Sequence, residues 1–125
     1  MELVERVGSD PREVSRVRRA VTTALRHRGV PDDERDVVAL LVSELVTNAI
    51  RHGRPPVHLR ARHADRSVTV SVDDASTHEP VPVHEAQWDA SGGRGLHLVE
   101  ALSDGWGVIL GGAGKRVWFR VAVSV

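Results

Sequence analysis

Apolar positions along the chain follow two periods, and the switches between them mark the elements. Between Ser9 and Gly29, Val14, Val17, Val21 and Leu25 recur at the spacing of one helical face. Asp10 suits a helix cap, Pro11 the first helical position, Glu13 the closing position of a capping box, and Gly29 the stop. A second helix is predicted from Asp32, with acidic residues in its first turn where the helix dipole favours them, to about His52, ahead of Gly53, Pro55 and Pro56. Its Val37, Val38, Leu40, Leu41, Val42, Leu45, Val46 and Ile50 leave almost no polar side, so burial is expected nearly all round. Strict alternation then takes over. Val57, Leu59 and Ala61 share one face and Val68, Val70 and Val72 share another, which predicts an antiparallel hairpin joined near Asp65. Leu3 to Val7 reads as a short edge strand, Leu96 to Leu102 as a short helix, and Trp106–Leu110 and Val117–Val125 as strands around a Gly111–Gly114 turn. From Ser76 to Gly92 no period is visible and two prolines interrupt. Loops longer than about 12 to 15 residues are usually functional, so this stretch reads as a mobile lid. The order of elements predicts an α/β two-layer sandwich with helices packed on one sheet face.

Composition narrows the class. A chain of 125 residues has room for one hydrophobic core, so residues 1–125 are expected to form a single domain. Early arginines are offset by Asp32, Asp33, Glu34 and Asp36, and the net charge is zero, which argues against direct nucleic-acid binding. Without cysteine there is neither a disulfide framework nor a thiolate metal site. No apolar run is long enough to span a bilayer and no secretory pattern opens the chain, so a cytoplasmic protein with no membrane partner is expected. Seven histidines, including His58, His63, His78 and His84, show no metal-ligand spacing. Neither a serine-nucleophile elbow nor a Walker loop is present.

Three places carry candidate chemistry. Glu44 and Asn48 stand four residues apart on the apolar second helix, hence on one side of it. They form either a satisfied polar pair at a partly solvated edge or a site in which the Asn oxygen ligates Mg²⁺ beside phosphates and Glu takes a proton. Asp73 and Asp74 end a strand, as turn formers or as an acceptor for a purine amine. Gly92, Gly93 and Gly95 lead into the helix at Leu96, as a plain turn or as a backbone cradle for an anion. Trp88, in the aperiodic stretch, is a candidate partner contact.

Glu44–Gly53 reads ELVTNAIRHG, Val72–Ser76 reads VDDAS and Gly93–Leu96 reads GRGL. In this order, and with the flanking elements, the chain resembles the histidine-kinase-type ATPase superfamily, in its small anti-sigma-factor serine/threonine kinase branch. The resemblance implies the Bergerat ATP-binding fold with a mixed, largely antiparallel sheet. It implies ATP and Mg²⁺ as cofactors, Glu44 as general base, Asn48 as the Mg²⁺ ligand, and Asp74 as acceptor for the adenine amine. Gly93, Gly95 and Leu96 would meet the phosphates. It also implies partners, namely a small antagonist protein phosphorylated on serine and a sigma factor whose control would regulate transcription, and it leaves a homodimer open. Arg51 and His52 read as cations at a helix C-terminus. Two departures stand out: Ser76 where the family usually has glycine, and Arg116 where a threonine often approaches the base. A nucleotide-dependent binding module without phosphotransfer is the alternative reading. A histidine autokinase fragment fits less well, because no phosphoacceptor hairpin precedes the ATP-binding part.

Overall fold

The computed structural model describes residues 1–76 and 94–125. Nearly all of the lid segment, with His78, His84 and Trp88, and the loop residue Gly93 lie outside the described residues. Five strands, β1 (Glu2–Val7), β2 (Val57–Ala64), β3 (Ser67–Asp74), β4 (Gly105–Gly111) and β5 (Gly114–Ala122), form one sheet in the order β1-β2-β3-β5-β4. Three helices, α1 (Glu13–His27), α2 (Asp32–His52) and α3 (Arg94–Leu102), complete the described fold. Every described strand pair is antiparallel, which narrows the expectation of a mixed, largely antiparallel sheet.

Alternation and register together build one apolar face. Leu59 pairs with Val72 and Ala61 with Val70, while Val70 and Val72 pair onward with Phe119 and Val117. Because side chains alternate along a strand, all of these share the same side. Val17, Val21 and Leu25 of α1, Val38, Leu41, Val42, Leu45 and Val46 of α2, and Leu96 and Val99 of α3 pack with them in a single core. The opposite face carries exposed His58, Arg60, Arg62, Arg116 and Arg120. The α/β two-layer sandwich is therefore present, with the helices on one side. No helix of the described residues is long and apolar enough to cross a membrane.

Several boundaries differ from expectation. Helix α1 begins at Glu13, after Asp10 and Pro11. The Asp10 carboxylate accepts the Arg12 N–H at 2.8 Å and Glu13 Oε1 accepts the Gly8 N–H at 2.9 Å, so these side chains close local turns instead of capping the helix. Its other end matches the reading. Gly29 has φ 83°, its N–H bonds to the Arg26 carbonyl at 3.0 Å, and the Val30 N–H bonds to that of Leu25 at 3.1 Å, the Schellman arrangement. Helix α2 runs from Asp32 to His52 as predicted, but Leu40 is 40% exposed and Val37 only half-buried. The β2–β3 hairpin turns at Asp65 and Arg66, both with positive φ as its twist demands. Strand β5 begins at Gly114, earlier than Val117, because the turn at Gly112 and Ala113 lets Gly114 pair with Gly111.

Candidate functional site

Glu44 and Asn48 lie on the same side of α2, about 6 Å apart along its axis. Buried Leu41, Leu45 and Ala49 anchor this stretch in the core. Ser43, about 100° round the helix from Glu44, faces α1, where Arg18 Nη1 donates to its hydroxyl at 3.2 Å. Both Glu44 and Asn48 are half-buried, which corrects the expectation of a helix enclosed on nearly every side. Among the described residues neither side chain has a hydrogen bond or ion pair. The described residues thus hold a carboxylate and a carboxamide in a defined position without engaging their polar atoms.

The end of α2 is joined to the end of β3. The Ala75 N–H donates to the Arg54 carbonyl at 2.8 Å, and the Arg54 N–H reaches Asp74 Oδ1 at 3.5 Å. A Cβ at position 53 would lie 2.6 Å from both Asp74 Oδ2 and the Ala49 carbonyl, so Gly53 is what lets the carboxylate approach the helix end. Asp74 is 5% exposed. A buried carboxylate needs partners, and its Oδ1 has them: the Ser76 N–H at 2.7 Å and the Ser76 hydroxyl. Ser76, buried in the place where glycine is usual, therefore fixes the Asp74 rotamer. Oδ2 faces the buried Lys115 ammonium at 3.6 Å, longer than a charge-assisted hydrogen bond.

Asp73 has the opposite fate. It pairs with Arg116 through Nε at 2.6 Å and Nη2 at 3.0 Å on the exposed sheet face, and the hydrogen bonds and charge of Asp73 hold the guanidinium further above its usual pKa. The register sets Asp73 against Arg116 and Asp74 against Lys115. Arg116, placed by the resemblance where the family often has a threonine, therefore lies on the other face of the sheet from the Asp74 carboxylate, and Lys115 is the β5 side chain that faces it. The missed signal was available: continuing the alternation of Val117, Phe119 and Val121 back by one step puts Lys115 on the core face.

Helix α3 packs on α2 through buried Leu96 and Val99. Gly95 and Leu96 belong to its first turn, where backbone N–H groups have no intrahelical acceptor and the helix dipole is positive. Gly93, the other glycine assigned to this loop, immediately precedes the described helix. Arg51 and His52 are exposed in the last turn of α2. Among the described residues no group of three or more His, Asp or Glu side chains could hold a metal.

Solved structures with a similar architecture include domains of a Mycobacterium tuberculosis protein and of histidine kinases. The RsbU and RsbW domains of Rv1364c from Mycobacterium tuberculosis align over 100% of this chain and 33% of theirs, with a TM-score of 0.77 and 22% identity. The histidine kinase domain of the Erythrobacter litoralis EL346 blue-light activated histidine kinase aligns over 90% of this chain and 60% of its own, with a TM-score of 0.59 and 21% identity. The Acinetobacter baumannii histidine kinase AdeS gives a TM-score of 0.59 at 11% identity, over 98% of this chain and 68% of its own. This chain thus spans only a third of the first of these proteins. At these identities the likeness establishes the fold. No curated protein matches the sequence. The histidine kinase-like ATPase domain matches residues 7–121, nearly the whole chain, and with it comes ATP binding. The chain belongs to the histidine kinase-like ATPase domain family.

Proposed function

We propose that the protein is an ATP-dependent serine/threonine kinase of the anti-sigma-factor type, acting on a serine of a small antagonist protein and binding a sigma factor in its other state. The observation that carries this reading is the placement of Glu44 and Asn48, half-buried and internally unpartnered among the described residues, on the helix whose end is tied to Asp74. The residues fit a nucleotide: Asp74 Oδ2 is a buried acceptor with no hydrogen bond among the described residues, ready for an exocyclic amine. Asn48 offers a neutral oxygen for Mg²⁺ shared with phosphate oxygens. The first turn of α3, with Gly95 and Leu96 and preceded by Gly93, receives phosphate on its free N–H groups. ATP supplies the transferable γ-phosphoryl group. Glu44, one turn from Asn48, takes the proton from the attacking serine hydroxyl. Residues 1–125 act as one domain in the cytoplasm.

Glu44→Gln tests the assignment, because it keeps the side-chain shape and removes the proton acceptor. ATP affinity should survive, while transfer of radiolabel to a captured partner should fall by about 10²- to 10⁴-fold. Unimpaired transfer by the variant would reject Glu44 as the base. Wild-type protein that binds ATP and partner yet never labels the partner would establish a nucleotide-dependent binding module instead.

A further inference from the structure

The pleat that buries one face of the sheet collects charge on the other. Strand register lays the solvent-facing side chains out in rows: Arg62, Thr69, Arg120 and Gly105 stand side by side across β2, β3, β5 and β4, with Arg60, Ser71, Trp118 and Gly107 in the next row. Five arginines and two carboxylates, Glu2 and Asp73, occupy strand positions on this face, in a chain whose 17 arginines and lysines balance 17 aspartates and glutamates. Glu2 pairs with Arg60 at 3.6 Å and Asp73 with Arg116, while Arg6, Arg62 and Arg120 have no ion-pair partner among the described residues. The surface also has relief. Between the arginines of β2 and the Trp118 and Arg120 side chains of β5, β3 contributes only the short Thr69 and Ser71. A Cβ at Gly107 would lie 2.8 Å from Trp118 Nε1 and one at Gly105 3.5 Å from Arg120 Nη2, so both side chains lean over β4, away from β3. The result is a trough along β3 whose walls stand two strand spacings apart, about 10 Å, the width of one helix or extended segment.

We propose that this trough docks an acidic segment of a partner protein, whose carboxylates pair with Arg62 and Arg120 and whose apolar side chain rests on the Trp118 indole. Charge complementarity selects the occupant. A second copy of the chain would set the same surplus of arginines against itself, which is unfavourable. Single-stranded RNA is read on sheets by stacking on two or three aromatic rings, and Trp118, half-buried, is the sole aromatic side chain on this face among the described residues. Trp and Arg are also the residues that most often dominate the energy of protein–protein contacts. The face lies on the other side of the sheet from Asp74, so docking here is separate from the proposed nucleotide site and compatible with its occupation.

Amide shift mapping by NMR on the isotope-labelled chain tests this with three probes: a soluble peptide of glutamates flanking a leucine, its counterpart with lysine in place of glutamate, and oligouridylate. The acidic peptide should shift the amides of residues 60–62, 69–71 and 118–120 and the indole N–H of Trp118, and it should bind more weakly as salt rises. The lysine peptide should leave them in place. Arg62→Glu combined with Arg120→Glu should weaken the acidic peptide by about tenfold or more, the size expected for losing one charged hydrogen bond, and should bind the lysine peptide instead. Both arginines are exposed, and an unchanged denaturation midpoint establishes that the double variant is folded. Should it be destabilised, the wild-type maps with the three probes decide alone. An acidic peptide that leaves these amides unmoved, or moves them no more than the lysine peptide does, would overturn the proposal. Oligouridylate binding the same residues more tightly than the acidic peptide would overturn it in favour of a nucleic-acid surface.

Discussion

Asp73 and Asp74 are neighbours in the chain and chemically identical, and the pleat of β3 separates them completely. Consecutive strand residues point to opposite faces, so one carboxylate lies on the solvated face in an Arg116 fork and the other is buried against Gly53, Ser76 and Lys115. An exposed pair of this kind contributes little, typically between zero and about 1 kcal/mol. Asp73→Asn should accordingly leave ATP affinity within about twofold, a change well below 1 kcal/mol. Asp74→Asn replaces an acceptor oxygen by an amide in half of its orientations and cannot keep both the Ser76 contacts and the acceptor facing the base. It should weaken ATP by about tenfold or more, measured by calorimetry against the Asp73 variant, and equal losses would remove Asp74 from the site. The sequence marks Asp74 as a candidate through the VDDAS segment, and it marks Glu44 and Asn48 through their four-residue spacing. It does not mark Lys115 so directly, because which β5 residue meets Asp74 is a matter of strand register, a tertiary property.

Elements were legible where their signals are local. The limits of α2 follow from acidic residues at its start and Gly53 with two prolines after its end, and the β2–β3 hairpin follows from alternation around Asp65. The start of α1 was not, since Asp10 and Glu13 have backbone N–H groups within reach on the preceding turn and use those instead of the helix end. Strand order was legible only in part: the Gly111–Gly114 turn announces the β4–β5 hairpin, but nothing short-range declares that the other edge of β5 pairs with β3. The C-terminal end of α1 shows how local backbone demands become energy. Gly29 sits at φ 83° in the Schellman turn that carries the chain to buried Val30 and into α2, and no atom lies within 4 Å of a Cβ placed there. The cost of Gly29→Ala is therefore conformational, with no steric clash, and should be about 1 kcal/mol. Chemical denaturation reads it as a lower midpoint with an unchanged slope. A cost near zero would mean that the turn relaxes out of the left-handed region.

At the scale of the molecule, α2 is the beam that connects these observations. Its 21 residues span about 30 Å, with the Gly29–Val30 turn before its first residue and the Gly53–Asp74 contact after its last. Core side chains from all three helices and the sheet meet along that beam, so a ligand at one end stabilises the whole cooperative unit and not merely a loop. Substitutions farther apart than about 10 Å with no shared partners usually add. Saturation with ATP and Mg²⁺ at about 100 times the dissociation constant should then stabilise wild type by about 2.7 kcal/mol. Gly29→Ala, at the far end of α2, should start from lower stability and gain the same increment, because its site is untouched. Asp74→Asn, compared at the same nucleotide concentration, should gain about 1.3 kcal/mol less for a tenfold loss of affinity. Denaturant titrations of the three proteins with and without nucleotide measure all of these differences. A smaller increment in Gly29→Ala than in wild type would mean that the two ends of α2 are energetically coupled, and the helix would then transmit strain between the turn and the nucleotide site where a rigid beam would not.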